Sequence, residues 1–369
     1  MKITRLKIEK LFDLFDYDIQ LDNSENLLIL TGPNGYGKTM MLNIIDSFLS
    51  GKLQFFNNNL IFDKINLFFT DDIEIVITQT NSNNKFRHAN VEYKYFKENK
   101  EINSMDFEDD YLTRIKVHLI KEQRLLKTID KKDNVTQVIN TINENAKDLS
   151  KIIVLNIQES LKIAQALDSS FPKRLLNGMP TKLTPDEFNK RFNLLHDKQQ
   201  QLKNYDLADS EQDIPQYDEE NAKVLLIYLA DREKKLSAFD NLLKRLDLFT
   251  NILNERRFTH KTIKISKHRG FIFLTNQGKE LALTDLSSGE QHEVVLLYEL
   301  IFNTNSDTLV LIDEPEISLH ITWQKEFLND LIQIIELQKI QVLIATHSPQ
   351  IINNRWDLVY NLEDKAIAV

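Results

Sequence analysis

Cysteine is absent from the 369 residues, which excludes disulfides, cysteine-ligated zinc and thiol catalysis. The chain also lacks an apolar run close to the roughly 20 residues that a membrane-spanning helix needs. Its first ten residues mix charged with apolar side chains, whereas a signal peptide needs an unbroken apolar segment. We therefore expect a cytoplasmic protein with no membrane partner.

Basic residues are fewer than acidic ones: the chain has 46 Lys and Arg and 55 Asp and Glu, which gives a formal net charge of −9. This balance argues against a protein that coats nucleic acid with its whole surface, although a local basic patch remains compatible with it. Hydrophobic residues make up 42% of the chain, so a folded core is expected and intrinsic disorder is not. The length suggests about two or three domains.

Glycine is scarce, with 8 residues in the whole chain. Half of these lie in two short segments, at Gly32, Gly35, Gly37 and Gly289. A chain that avoids glycine elsewhere and concentrates it in two places needs its backbone to approach a ligand closely there.

The first of these segments, GPNGYGKT at 32–39, fits the phosphate-loop pattern G-x-x-x-x-G-K-[ST]. It follows a buried-strand run at 27–30 and opens a predicted helix at 38–49, which is the context that the motif requires. Glycines let backbone N–H groups curl around phosphate, and the helix N-terminus adds its positive end. Lys38 is expected to reach the β and γ phosphates, and the Thr39 hydroxyl to bind Mg²⁺. The predicted nucleotide-binding residues are Gly32, Asn34, Gly35, Gly37, Lys38, Thr39 and Met40.

A second apolar run, at 308–312, ends in Asp313 and Glu314. The first carboxylate suits contact with Mg²⁺, and the second lies where a general base could polarise an attacking water. Many strands end in a solvated acidic turn, so this pair is informative mainly because a phosphate loop precedes it.

Two further turns flank that strand. LSSGEQ at 286–291 is either a plain helix cap or an anion site at a helix N-terminus. ATHSP at 345–349 ends the next apolar strand, where His347 is either structural or a contact to the γ-phosphate.

The order of these four motifs resembles that of ATP-binding-cassette ATPases. It is most similar to the non-transporter branch of SMC, RecF and OLD-type ATPases, of the AAA_15 or AAA_21 kind. LSSGEQ resembles the LSGGQ signature with Ser288 in place of the first glycine, and DEPEISLH with ATHSP is closer to OLD-like proteins than to transporters. The resemblance implies an α/β P-loop NTPase with a parallel RecA-like core, an antiparallel β-subdomain and a central α-helical insertion.

The resemblance also implies ATP and Mg²⁺ as cofactors and a head-to-tail homodimer or higher homo-oligomer. Glu314 is then the catalytic base, His347 the switch histidine, and Thr39 with Asp313 the metal ligands. The signature contributes across the dimer, through Ser287, Ser288, Gly289 and Glu290.

Two roles stay open at this stage. The glutamine that follows a strand and contacts the metal in this family is expected to be Gln123, with Arg124 as the alternative. An aromatic ring that stacks on adenine is expected at Phe12 or Phe15.

The predicted domains are an N-terminal half of the core at 1–139, a helical lobe at 140–258 and a C-terminal half at 259–369. In the lobe, one helix face is expected to bury Ile152, Leu155, Leu161, Ala164 and Leu167. A second helix and a long third helix are expected to form a hairpin, whose tip is the acidic stretch 205–220.

About twenty residues follow Ser348, so no TOPRIM nuclease is expected, and the chain resembles the stand-alone ATPases of two-gene anti-phage systems such as PARIS or Septu. The leading hypothesis is a switch that controls a separately encoded effector, with a nuclease as the expected effector. The alternative is a DNA repair or chromosome-maintenance ATPase, and a transporter subunit fits the motifs less well.

A basic stretch lies at 256–279, where the sequence has seven Lys or Arg and no acid. It forms either a patch for DNA or a solvated hairpin face.

Overall fold

The computed structural model describes residues 1–21, 24–58, 60–80, 90–104, 107, 116–130, 136–177, 183–208, 215–317, 319–365 and 367–368. The chain divides into two compact units: unit 1 comprises residues 1–124 and 288–369, and unit 2 comprises residues 125–287. The expected boundaries after 139 and after 258 differ from this division. Short strands on both sides of the helical segment belong with the helices in unit 2.

Unit 1 contains a parallel and an antiparallel sheet, and unit 2 adds two small sheets. The strands are β1 (Ile3–Leu11), β2 (Phe15–Gln20), β3 (Leu27–Thr31), β4 (Lys64–Phe69), β5 (Ile73–Thr80), β6 (Asn90–Lys97), β7 (Lys100–Ile102), β8 (Lys116–Ile120), β9 (Leu126–Asp130), β10 (Thr136–Asn140), β11 (Lys261–Ser266), β12 (Gly270–Thr275), β13 (Glu280–Leu281), β14 (Thr308–Asp313), β15 (Gln341–Ala345), β16 (Val359–Asn361) and β17 (Ile367–Ala368).

Helices cover the parallel sheet and make up most of unit 2. The α-helices are α1 (Lys38–Leu49), α2 (Gln54–Asn58), α3 (Thr141–Asn177), α4 (Pro185–Asn204), α5 (Ala222–Ser237), α6 (Asp240–Asn251), α7 (Ser288–Phe302), α8 (Ile321–Gln338), α9 (Pro349–Ile352) and α10 (Leu362–Lys365). A π-helix continues α6 at Ile252–Arg257. Within the described ranges, none of the helices combines the length and hydrophobicity that crossing a bilayer requires.

The parallel sheet has the strand order β16-β3-β15-β14-β8. Every residue of β14 and β15 is buried, as expected for strands covered on both faces. The predicted strands at 27–30, 308–312 and 341–345 are confirmed. The prediction of α/β class with separate parallel and antiparallel sheets is confirmed as well.

The antiparallel sheet has the order β17-β2-β1-β4-β5-β6-β7. The hairpin predicted from 72–79 and 91–96 is confirmed as β5 and β6, paired from Ile73 with Lys97 to Thr80 with Asn90. Its predicted turn at 81–84 lies outside the described residues. The alternating residues Ile3, Leu6 and Ile8 of β1 are all buried.

One continuous apolar core in unit 1 contains side chains of both sheets and of α1. A buried amide also joins the two sheets, because Gln341 at the start of β15 pairs with the backbone of β1. Its Oε1 accepts from the Ile3 N–H at 3.2 Å, and its Nε2 donates to the Ile3 carbonyl at 2.8 Å. The Gln341 amide thus pairs with Ile3 as the backbone of a neighbouring strand would, and both its oxygen and its nitrogen have a hydrogen-bond partner.

In unit 2 the predicted buried face of α3 is wrong, because Leu155 and Leu161 are 63% and 59% exposed. The helix instead packs the N-terminal part of its length on β12, and this contact selects the neighbouring stripe of side chains. The buried apolar residues of that stripe are Ile142, Ala146, Leu149 and Ile153.

The other helical predictions for unit 2 fare better. Phe188, Phe192, Leu195 and Leu202 of α4 are buried. The long third helix expected in the lobe is divided into α5, α6 and the π-helix. The buried leucines along it include Leu225, Leu229, Leu236, Leu242, Leu246 and Leu253. Within the acidic stretch 205–220, residues 209–214 lie outside the described ranges.

Gly270 begins β12 where this strand meets α3, and its φ of +75° is in the left-handed region. A Cβ at this position would lie 1.8 Å from the carbonyl oxygen of Ala146. Backbone atoms cannot move aside as a flexible side chain does, so no other residue fits here without displacing α3.

Gly270→Ala is therefore expected to lower the stability of unit 2. Gly278→Ala is the matched control, because its φ is +78° but nothing lies within 4 Å of the added Cβ. The control should cost about 1–2 kcal/mol from the left-handed backbone alone, and Gly270→Ala should cost about 1–3 kcal/mol more from overlap. Urea denaturation followed by far-UV circular dichroism measures both. Equal costs would contradict the close contact with Ala146.

Candidate nucleotide-binding site

The phosphate loop connects β3 to α1, and its three glycines all have positive φ, at 141°, 90° and 87° for Gly32, Gly35 and Gly37. These angles are open to glycine and strained for other residues, which explains why the motif needs glycine here. Asn34 and Gly35 at the outer part of the loop are exposed. The loop can therefore offer its backbone N–H groups to a phosphate from solvent.

Lys38 begins α1 and is 5% exposed. Its ammonium donates to the Gly32 carbonyl at 2.8 Å and to the Pro33 carbonyl at 3.3 Å, and it lies 3.4 Å from Nδ1 of His347. Burial lowers the pKa of Lys38, and the nearby carboxylates of Glu314 and Asp313 oppose that effect. The ammonium is thus held inside the loop, where phosphate oxygens would be bound.

Aromatic side chains support the loop from β2. Tyr17 donates its hydroxyl to the Tyr36 carbonyl at 3.0 Å, and the ring of Phe15 stacks on that of Tyr36 with centroids 5.1 Å apart. Phe12 lies beside Gly37, since a Cβ there would approach the Phe12 ring to 3.6 Å. Both adenine-stacking candidates therefore adjoin the phosphate loop, and the choice between them stays a prediction.

The donors expected for Mg²⁺ meet at the carboxyl edge of the parallel sheet. The Thr39 hydroxyl donates to Oδ1 of Asp313 at 2.9 Å. Burial raises the pKa of Asp313, the Thr39 hydrogen bond lowers it, and the carboxylate of Glu122 at the end of β8 raises it again. Hydroxyl and carboxylate oxygens are the ligands that Mg²⁺ prefers, so this pair fits the ion.

Glu314 leaves β14 with a left-handed backbone, φ +44°, which is uncommon for a residue with a side chain. Its N–H donates to the Ala345 carbonyl at 2.9 Å, so the turn is fixed to the neighbouring strand β15. Burial and contact with the Glu316 carboxyl raise the pKa of Glu314 to about 8. This shift favours the protonated form of the side chain.

His347 lies between Lys38 and Glu314. A lysine ammonium can only donate, so Nδ1 of His347 accepts from Lys38 and the ring proton lies on Nε2. Nε2 is 3.2 Å from Oε1 of Glu314. Burial and the positive charge of Lys38 lower the pKa of His347, which keeps the ring neutral. Lysine, histidine and glutamate thus form one line of polar contacts.

Glu316 holds the turn that carries His347. Its Oε1 accepts from the Thr346 hydroxyl at 2.6 Å, from the His347 N–H at 2.9 Å and from the Ser348 N–H at 3.0 Å. Three donors on one carboxylate oxygen fix the ATHSP turn relative to the loop after β14. The sequence pattern alone predicts no role for Glu316, although its position two residues after Glu314 is a usable signal.

The signature residues lie at the start of α7. Ser287 and Ser288 are exposed, and Gly289 and Glu290 are partly exposed, whereas the helix from His292 onward is buried. An exposed helix start on a buried helix is an arrangement that a second chain can reach. The predicted contact across a dimer stays a prediction.

A family profile matches most of this chain. The profile of AAA_15, described as an AAA ATPase domain, matches residues 1–352. The chain belongs to this AAA ATPase family. No curated protein matches the sequence.

Solved structures show a distant likeness to this AAA ATPase. An Smc head domain with an extended coiled coil from Pyrococcus furiosus, bound to the C-terminal domain of ScpA, is 12% identical with a TM-score of 0.45, covering 100% of this chain and 96% of that one. The SMC head domain from Thermotoga maritima is 12% identical with a TM-score of 0.41, covering 98% and 94%. An SmcHead bound to the C-winged helix domain of ScpA is 11% identical with a TM-score of 0.44, covering 100% and 98%. These values are too low to assign a role.

Gln123 and Arg124, the two candidates that follow β8, lie in different environments. Gln123 is exposed, and no hydrogen bond joins it to another part of the described chain. Arg124 is 5% exposed and donates to the Pro315 carbonyl at 3.1 Å, to the Ile317 carbonyl at 3.4 Å and to Nδ1 of His292 at 3.1 Å. Arg124 therefore connects the loop after Glu314 with the signature helix α7.

The basic stretch 256–279 does not present all its cations together. Arg257 is buried, and Arg269 forms an ion pair with Glu280. Lys264 and Lys279 are exposed on the hairpin of β11 and β12 and on the turn that follows it. This distribution favours a solvated hairpin face over a single patch for DNA.

The pKa of Glu314 predicts a pH-dependent stability for the AAA ATPase. Its value of about 8 exceeds the ordinary value of 4.5, so the folded state binds more protons between these two pH values. The free energy of unfolding should consequently fall as pH rises through this window. Glu314→Gln removes that loss because its side chain is neutral at every pH.

Thermal denaturation without nucleotide at about pH 5 and about pH 8.5 tests this difference. The Tm of Glu314→Gln relative to wild type should increase toward the higher pH. Glu326→Gln is the control, since it removes an exposed acid on α8 and should shift Tm equally at both values. A constant difference for Glu314→Gln would contradict the raised pKa.

Arg124→Met and Gln123→Ala decide which of these two residues serves the site. Arg124→Met removes two hydrogen bonds to the loop after Glu314, so kcat should fall by about 10–100-fold as Glu314, the predicted base, loses its position. KM for ATP should change little, because the phosphate loop is untouched. Steady-state ATPase kinetics measure both constants. A larger kcat loss in Gln123→Ala than in Arg124→Met would reverse the assignment.

Proposed function

We propose that this AAA ATPase binds ATP with Mg²⁺, hydrolyses it in an ATP-closed homodimer and uses this cycle to control a separately encoded effector. The observation that carries the proposal is the line from Lys38 through His347 to Glu314, beside the Thr39–Asp313 pair. A phosphate-binding cation, a metal-ligand pair and a general base all lie at one edge of one sheet. Phosphoryl transfer to water needs these groups and little else.

Each residue has a defined task in the proposed reaction. The loop N–H groups and Lys38 position the terminal phosphates, while Thr39 and Asp313 hold the metal ion. Mg²⁺ supplies charge neutralisation at the phosphate oxygens when it is bound. Glu314 accepts a proton from the water that attacks the γ-phosphorus, and ADP and phosphate are the products. His347 orients Glu314 and reports the presence of the γ-phosphate through its position beside Lys38.

The resting state of Glu314 gives the cycle a point of control. Burial and contact with Glu316 raise the pKa of Glu314, which favours the protonated carboxyl, and a protonated carboxyl is not a base. Separation of the two carboxyl groups lowers this pKa, because it removes both the repulsion and the shared hydrogen bond. We propose that closure of the dimer causes this separation and so couples assembly to hydrolysis.

The proposed dimer places the signature of one chain over the nucleotide of the other. Ser287 and Gly289 would then contact the γ-phosphate across the interface. The exposure of Ser287 and Ser288 at the helix start supports this arrangement. Resemblance of the motif set to stand-alone ATPases of anti-phage systems supports the proposed control of a nuclease effector. Purification from the native operon tests that output through a co-purifying nuclease.

ATP-dependent binding to DNA ends or junctions is the competing output. Exposed Lys264 and Lys279 are two described residues of the basic stretch that could contribute to it. Such binding would weaken steeply as salt rises, because phosphate contacts release counterions. DNA-stimulated turnover that is lost with salt would favour this output, whereas a co-purifying nuclease with no DNA retention would favour the effector.

The solution mass of Glu314→Gln with and without Mg-ATP tests the switch. This variant keeps the phosphate loop, so it should bind ATP and double its mass, while turnover falls by about 10²–10⁴-fold with loss of the base. Lys38→Ala is the control, since it should lose ATP binding and stay at its original mass. Light scattering and an ATPase assay measure these outcomes. A variant that binds ATP at unchanged mass would contradict ATP-driven closure.

A further inference from the structure

Unit 2 contains a pocket that plays no part in the proposed nucleotide site. It lies among helices α3, α4 and α5, with a cavity volume of about 340 Å³. This volume is at the small end of the range for small-molecule sites and is too small for a folded partner. Most of its wall is apolar, from Ile157, Leu161, Leu202, Leu207, Ala208, Leu236 and Phe239.

Two cations line this pocket, and the described lining contains no carboxylate. Arg232 is only 9% exposed. Lys235, one turn further along α5, is partly exposed, and its side chain makes no ion pair with the described residues. A buried guanidinium without a counter-charge is costly, so it needs another source of stabilisation.

The protein partners of Arg232 are all neutral. One nitrogen donates to the Tyr228 hydroxyl at 2.7 Å, and another donates to Oε1 of Gln199. The guanidinium also lies over the rings of Phe192 and Tyr228, at 5.7 and 5.4 Å from their centroids. Since arginine has five N–H donors, three have no partner within the described residues.

The acids next to Arg232 in sequence do not neutralise it. Asp231 accepts from Arg174 of α3 at 2.8 Å, and Glu233 accepts from Arg191 of α4 at 2.8 Å. Both ion pairs join α5 to a neighbouring helix on the outside of the lobe. Of these three α5 charges, Arg232 is the one that lines the cavity, and the described residues of its lining include no acid.

We propose that this pocket binds a small amphipathic anion, a carboxylate or phosphate ester with an apolar body. The anionic group pairs with Arg232 and Lys235, and the apolar body fills the space between Leu161, Leu202 and Phe239. Exposed Leu161 at the rim then acquires an apolar neighbour. Binding here adds a second ligand to the ATPase, at a site built entirely within unit 2.

Isothermal titration calorimetry on the full chain tests this site with decanoate and decyl phosphate as anionic probes and decanol as the neutral analogue. One anion should bind per chain, and the two anions distinguish carboxylate from phosphate. Arg232→Gln should weaken binding by roughly 10–100-fold, as expected for loss of hydrogen bonds to a charged group. Arg191→Gln is the matched control, because it removes the same charge from an arginine already paired with Glu233, and it should bind normally.

A second variant keeps the test decisive if Arg232→Gln unfolds. Leu161→Trp changes a 59% exposed residue at the rim, so the fold should persist while the larger ring occupies the pocket and abolishes binding. Absence of binding for both anions would overturn the proposal. Equal binding of decanol, or unchanged anion binding in Leu161→Trp, would overturn it as well.

Discussion

The candidate site depends on one constraint, the parallel alignment of neighbouring strands that all end at the same edge of the sheet. The phosphate loop follows β3, His347 follows β15, Glu314 follows β14 and Arg124 follows β8. Residues that are up to about three hundred positions apart in sequence become neighbours because their strands are in register. The fully buried β14 and β15 make this edge rigid, and the turns beyond it carry the chemistry.

Charge at this edge is unbalanced in a way that affects reactivity. Lys38 is a buried cation close to the carboxyl groups of Asp313, Glu314 and Glu316, and Glu122 adds a further negative charge beside Asp313. Oε1 of Glu316 accepts from three donors, and burial together with contact with Glu316 raises the pKa of Glu314. The crowding of carboxyl groups thus favours the protonated form of the predicted base. Bound Mg²⁺ is the kind of charge that would reverse this balance.

The sequence predicts the parts of the site that local chemistry determines. Glycine at 32, 35 and 37 and lysine at 38 are required by backbone geometry and by phosphate, so the motif alone locates them. Arg124 and Glu316 were harder to assign, because their partners are backbone groups of loops that are distant in sequence. In unit 2, the periodicity of apolar residues predicts the helices correctly but predicts the wrong buried face for α3. Contact with β12 at Gly270 selects the buried stripe, and periodicity carries no information about that contact.

Two buried arginines show how surroundings separate structural from ligand-binding roles. Arg124 donates to two carbonyl groups and a histidine nitrogen. Burial lowers the pKa of Arg124 to about 10, and the nearby charges of Glu293 and Glu316 oppose this effect. Its contacts connect the loop after β14 with α7. Arg232 has neutral partners, unused donors and an adjoining cavity. Arginine thus links two segments in unit 1 and lines a cavity in unit 2, where an anionic ligand pairs with it.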